Sequence, residues 1–112
     1  MEKVKQAWIY CAIDAPEDTH GVLKGQFRQL CDYAEQMVVE TAGSSSDCGG
    51  RPLPERQGFR HFIEAVKERK ANILLVVNLH SLSHSSIQLT QLQTMAESLN
   101  VAIWSPQEGR IF

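Results

Sequence analysis

The chain carries almost no net charge. Eleven Lys and Arg stand against 13 Asp and Glu in 112 residues, a formal charge of −2. That balance leaves no electrostatic footprint for nucleic acid, and no dense Lys/Arg cluster supplies one locally. No apolar run approaches the ~18 residues of a membrane span, and no charged-then-apolar leader opens the chain, so membrane and secretory roles are not expected. Cysteine is scarce and odd in number: Cys11, Cys31 and Cys48 fit neither a disulfide framework nor a metal-ligand spacing. Cys11 and Cys31 fall in apolar patterns as buried thiols, and Cys48 in a Gly/Ser-rich stretch. Such usage suits a reducing cytoplasm. With 43% hydrophobic and 21% charged residues, the chain reads as one soluble globular domain, residues 1–112, with a modest core.

The order of elements follows from periodicity. Ala7 to Ile13 reads as a buried first strand, rich in aromatic and β-branched residues. Asp14 to Gly21 reads as a polar loop. Leu23, Phe27, Leu30, Cys31 and Ala34 recur along one face of a helix between Val22 and Gln36. Met37 to Thr41 is expected to form a short second strand, and Ala42 to Pro54 a flexible loop. Phe59, Phe62, Ile63 and Val66 mark a second helix, ending near Arg69 and Lys70, whose charges suit a helix C-terminus. Ile73 to Leu79 is a continuous apolar strand of the kind buried on both faces of a parallel sheet. Ser85 or Ser86 caps a third helix, with Ile87, Leu89, Leu92, Met95, Ala96 and Leu99 on its apolar face and Asn100 as a left-handed terminator. Val101 to Trp104 is a fourth strand, and Glu108 to Phe112 a tail. Trp8 and Trp104 are assigned to the core or a sheet edge, and Met95 to packing. The β-α-β-α-β-α-β order predicts an α/β three-layer sandwich with a mainly parallel sheet of four to five strands.

In such a fold, chemistry gathers at the carboxyl ends of the strands. The strand from Ile73 empties into Asn78-Leu79-His80-Ser81-Leu82-Ser83-His84-Ser85, rich in imidazole and hydroxyl groups. Between Ile73 and Ser85 there is no arginine, lysine or carboxylate.

Four strings, in order, carry a family resemblance. Tyr10-Cys11-Ala12-Ile13-Asp14 is similar to a strand ending Tyr-x-Arg-Val-Ser. Leu23 to Leu30 is similar to the Gln-rich helix start that follows it. Ala42-Gly43-Ser44-Ser45-Ser46-Asp47 is similar to the first half of Ser-Gly-x-x-x-Asp-Arg-x-Gly-Leu, which resumes at Arg56-Gln57-Gly58-Phe59 after an insertion of Cys48 to Glu55. Leu79 to Ser85 lies over Leu-Asp-Arg-Leu-x-Arg-Ser. The tail from Val101 to Gly109 resembles the closing strand and turn. Together these resemble the N-terminal catalytic domain of the serine site-specific recombinases, the resolvase/invertase family, from Trp8 to about Gly109.

The resemblance implies a resolvase-like fold and a site for DNA strand exchange through a serine–phosphate intermediate. It puts Asp14 at the nucleophile's position and Ala12 at an arginine's. His80 stands where the family has aspartate, and Ser81 and His84 where it has arginines. Arg56 and Gln26 keep the family's residue. Each donor lost from a phosphoryl-transfer site forfeits about 3 kcal/mol of transition-state stabilisation, so the three missing guanidiniums imply a catalytically inactive relative. It would act as a binding or regulatory module, needing no cofactor. DNA is a partner by resemblance only; a protein partner or a second copy is the other expectation. The sequence stops before the dimerisation helix and DNA-binding tail that the resemblance would place next.

Other readings stay open. A displaced nucleophile could be Ser44, Ser45, Ser46, Ser81, Ser83 or Ser85, giving an active or weakly active recombinase. Ser44 to Ser46 could also form an anion-binding nest or a phosphorylation site, and Arg51 and Arg56 could touch phosphate. His80 and His84, spaced i, i+4, could with Asp14 or His20 hold a metal or ligand in a small binding domain. Asp14 and one of these histidines could instead form an acid–base pair.

Overall fold

The computed structural model describes residues 5–112; the first four residues of the expected 1–112 domain lie outside the described part. Five strands form one sheet: β1 (Gln6–Ile13), β2 (Glu40–Cys48), β3 (Ile73–Leu75), β4 (Ala102–Ser105) and β5 (Gly109–Arg110), in the order β2-β1-β3-β4-β5. The first four are parallel and β5 is antiparallel to β4. Three helices, α1 (Val22–Gln36), α2 (Gln57–Lys67) and α3 (Ser86–Leu99), complete the α/β sandwich.

Strand alternation divides the core. Ala7, Ile9, Cys11, Ile73 and Leu75 pack with Leu30 and Ala34 of α1 on one face of the sheet. Tyr10, Leu74, Val76 and Ile103 pack on the other, with Phe59 and Phe62 of α2 and Leu92 and Ala96 of α3. Every residue of β3 is buried, as its unbroken apolar run requires. The first and third helices keep their expected bounds closely, and Asn100 adopts the left-handed conformation (φ 58°) that ends α3.

The second strand differs from expectation. Met37 caps α1, and Val38 turns the chain with φ 57° while 87% exposed, so β2 begins only at Glu40. It then runs through Ser44–Ser46, which the sequence assigned to a loop. An edge strand needs backbone pairing on one side only, and its outward side chains stay in water, so it need not carry an apolar pattern. β2 pairs with β1 along its length, with a bulge between Ala7 and Trp8. Trp8 fastens it: a Cβ at Gly43 would lie 2.5 Å from the indole, and Trp8 Nε1 donates to Ser45 Oγ at 2.8 Å. An extended strand has no concave nest, so Ser44–Ser46 do not form the anion nest that is one open reading of this segment's sequence.

The third strand is also shorter than its apolar run. Val76 still donates to the Trp104 carbonyl, but the chain then leaves the sheet and folds into a 3-10 turn over Leu79–Ser81. This early exit sets the floor of the candidate site.

Candidate functional site

At the carboxyl ends of β1 and β3 lies a shallow cleft of about 230 Å³, lined by Ala12, Ile13, Asp14, Gln26, Val77, Asn78, His80, Ser81 and His84. Six of the seven positions singled out in the sequence therefore meet in one place. β1 delivers Ala12 and Asp14, and the turn after β3 delivers the histidines and Ser81. Gln26 of α1 reaches across to the end of β1, where its Oε1 accepts from Ala12 N and its Nε2 donates to Ala12 O, both at 3.0 Å. It thereby extends the backbone pairing of β1 by a side chain.

The turn bearing the histidines is fixed from two sides. Asn78 Oδ1 accepts from Ser81 N at 3.1 Å, capping the turn. The Glu108 carboxylate accepts from Leu79 N at 3.1 Å and is held by Ser105 Oγ at 2.6 Å. Sequence reading missed Glu108; its place in a tight turn beside a parallel strand's end was the available signal.

The seventh position, Arg56, stands behind the cleft and is only 8% exposed. Its Nε donates to the Arg51 carbonyl at 2.6 Å and its Nη1 to the Ser81 carbonyl at 2.7 Å. Nη1 also lies 3.5 Å from the Tyr10 hydroxyl. Tyr10 in turn donates to Asp47 Oδ2 at 2.7 Å, and Asp47 accepts from Gly58 N and Phe59 N at 2.9 and 3.1 Å. The approach is close enough that a Cβ on Gly58 would lie 2.6 Å from Asp47 Oδ2. Burial pushes the Tyr10 phenol well above its usual range, with the Arg56 hydrogen bond opposing, so Tyr10 stays a donor. The sequence matched Asp47 to a motif but did not assign this buried Tyr10–Asp47–Arg56 network. A tyrosine on a buried strand, which needs a partner for its hydroxyl, was the clue.

The histidines face one another, with Nδ1 atoms 3.1 Å apart and ring centroids 4.9 Å apart. On the other edge of its ring, His84 Nε2 lies 3.5 Å from Asp14 Oδ2. Asp14 and His80 thus approach opposite edges of His84 and do not converge as a three-ligand set. Among the described residues no group of three or more His, Cys, Asp or Glu is placed to hold a metal. His20 is exposed and does not line the cleft, so it is not brought to the histidines either.

The candidate serines separate by place. Ser45 Oγ is bonded to Trp8 and to the Gly58 carbonyl. Ser44 and Ser46 line a different groove, beside Leu23 and Phe27 of α1. Ser83 is buried and donates to Gln88 Oε1, while Ser85 caps α3. Only Ser81 of the six lines the cleft, with its hydroxyl 3.4 Å from Asn78 Oδ1. The cysteines are unpaired, and burial pushes the Cys11 thiol up to about 11, with a smaller contribution from Cys31.

The fold is similar to that of several solved structures, among them the following three. The N-terminal catalytic domain of TP901-1 integrase superposes with a TM-score of 0.80 at 23% identity, over 94% of this chain and 80% of that one. The C-terminal catalytic domain of ISC1926 TnpA, an IS607-like serine recombinase, gives 0.78 at 18% identity, over 89% and 68%. A resolvase-family site-specific recombinase from Streptococcus pneumoniae gives 0.77 at 16% identity, over 94% and 74%. No protein-family model and no curated protein matches the chain.

Proposed function

We propose that this resolvase-like domain does not cleave DNA and works as a binding or regulatory module, with residues 1–112 as one core domain. The observation that supports this is the composition of the cleft. Its lining holds one carboxylate, two imidazoles and three neutral polar side chains, Gln26, Asn78 and Ser81, with no arginine or lysine. A pentavalent phosphate carries charge on several oxygens and needs cationic or N–H donors aimed at it. Asp14 would repel it. Arg56 directs Nε and Nη1 to main-chain carbonyls and serves the fold there.

The partners then engage surfaces other than the cleft: another protein, a second copy, or DNA as in the recombinases the fold resembles. Among the described residues no helix is long and apolar enough to cross a membrane. Three free thiols suit the cytoplasm. A weakly active enzyme is the second reading, and the position of Ser81 favours it over any other displaced serine.

Covalent trapping tests the proposal. The full chain is incubated with a supercoiled plasmid library of its source genome, quenched in detergent and searched for protein linked to DNA ends. The expected result is no adduct and no nicked product. An adduct that disappears in Ser81→Ala would replace this reading with the second one.

A further inference from the structure

We propose that His80 and His84 form a two-histidine site for a borderline transition-metal ion, of the class of zinc(II), nickel(II) and copper(II), with Asp14 as the carboxylate behind it. The inference goes beyond the proposed function and holds whether or not the chain cleaves DNA. Imidazole nitrogen is a preferred ligand for this class of ion.

Two distances of the ring pair fit one ion. Imidazole nitrogens bind zinc at about 2.0–2.1 Å. Nitrogens 3.1 Å apart then subtend roughly 100° at the ion, between the ~90° of an octahedron and the ~109° of a tetrahedron. If the ion lies on both lone-pair axes, the ring centroids, about 1.2 Å beyond each nitrogen, fall about 4.9 Å apart at that same angle. The observed separation of the centroids is 4.9 Å.

The tautomers also suit a ligand. His84 Nε2 faces the Asp14 carboxylate at 3.5 Å, so a proton on Nε2 leaves Nδ1 as a lone pair. In the metal-free pair, His80 fills the gap by donating Nδ1–H to that lone pair. When an ion binds, the His80 proton moves to its Nε2 by exchange with water, and two Nδ1 lone pairs meet at one point. A ligating histidine that donates its other N–H to a carboxylate is oriented and made more basic by it. The cleft's one lining carboxylate and lack of lysine or arginine favour a dication. The remaining coordination positions are left to water. With two protein ligands rather than four, binding is weaker than at a closed structural site.

Calorimetric titration of the untagged full chain with zinc(II) and nickel(II) tests the site, on a Cys48→Ser background so that the exposed thiol does not compete. One ion per chain is expected, with affinity falling at least thirtyfold in His80→Ala and in His84→Ala, and about tenfold in Asp14→Asn. Both histidines are exposed, so these variants keep the fold, which circular dichroism checks. Ring-nitrogen NMR should show both Nδ1 resonances moving to metal-bound positions, with the His80 Nε2 resonance moving to that of a protonated nitrogen. Absence of saturable binding overturns the proposal, as does binding that survives both histidine variants, which would place the ion at His20, His61 or a thiol.

Discussion

Arg56 shows how far a matched letter can be from its surroundings. The sequence resemblance aligns it with an active-site arginine of the recombinases. Its surroundings make it a clamp that ties the Arg51 carbonyl before α2 to the Ser81 carbonyl of the turn after β3. A string of letters records that the arginine is kept, but not which atoms its donors meet. That depends on residues 25 positions away in sequence. Arg56→Ala leaves the Arg51 and Ser81 carbonyls, both in part-buried hydrogen bonds, without a charged donor and removes a support of Tyr10. We predict a loss of about 2–3 kcal/mol in chemical denaturation. Unchanged stability would contradict the clamp role. That Asp14, His80, Ser81 and His84 lie together at one cleft was legible because strand ends converge in this fold class. The Nδ1–Nδ1 contact was not, because rotamers and turn geometry decide it.

Elements were legible where burial imposes a period and opaque where it does not. β3 and the cores of the helices' apolar faces announce themselves because they are packed, although Phe27 of α1 and Ile87 of α3, read as part of those faces, stay exposed. β2 does not, since its outward residues face water and its anchoring comes from Trp8 of the neighbouring strand. The turn before it holds Val38 at φ 57° with its side chain 87% exposed. A β-branched residue is strained there and gains nothing from burial. Val38→Gly is predicted to stabilise the fold by about 1 kcal/mol, raising Tm by roughly 4–8 °C; a fall in Tm would contradict this. At the start of α1, Asp18 accepts from Val22 N and Leu23 N at 2.8 and 3.0 Å. These backbone hydrogen bonds, Leu23's foremost, hold its carboxyl below the usual range. A lowered folded value means that the stabilisation is present above the unfolded value and lost as pH falls through the folded one. The stability gap between wild type and Asp18→Ala should thus be widest near neutral pH and close in acid, as the pH falls through the lowered folded value. A gap independent of pH would mean that the charge plays no part in capping α1.

For the whole molecule, the fold and the location of the cleft were readable, while its chemistry rests on which charged groups face inward. Apolar letters at Ile73–Val76 preserve the sheet, and in the proposed reading Ala12, Ser81 and His84 stand where the sequence resemblance would place guanidiniums. A scaffold kept with its phosphate-binding charges lost is the central claim, and it needs no knowledge of a target DNA sequence. The most direct measurement is an amide NMR titration with a short random duplex at about 20 mM salt, where phosphate contacts are strongest. A chelator is included to keep metal from the histidines. The account predicts no saturable shifts among Ala12–Asp14 and Asn78–Ser85. Saturable shifts concentrated in those two segments would show that the cleft holds phosphate, and would contradict it.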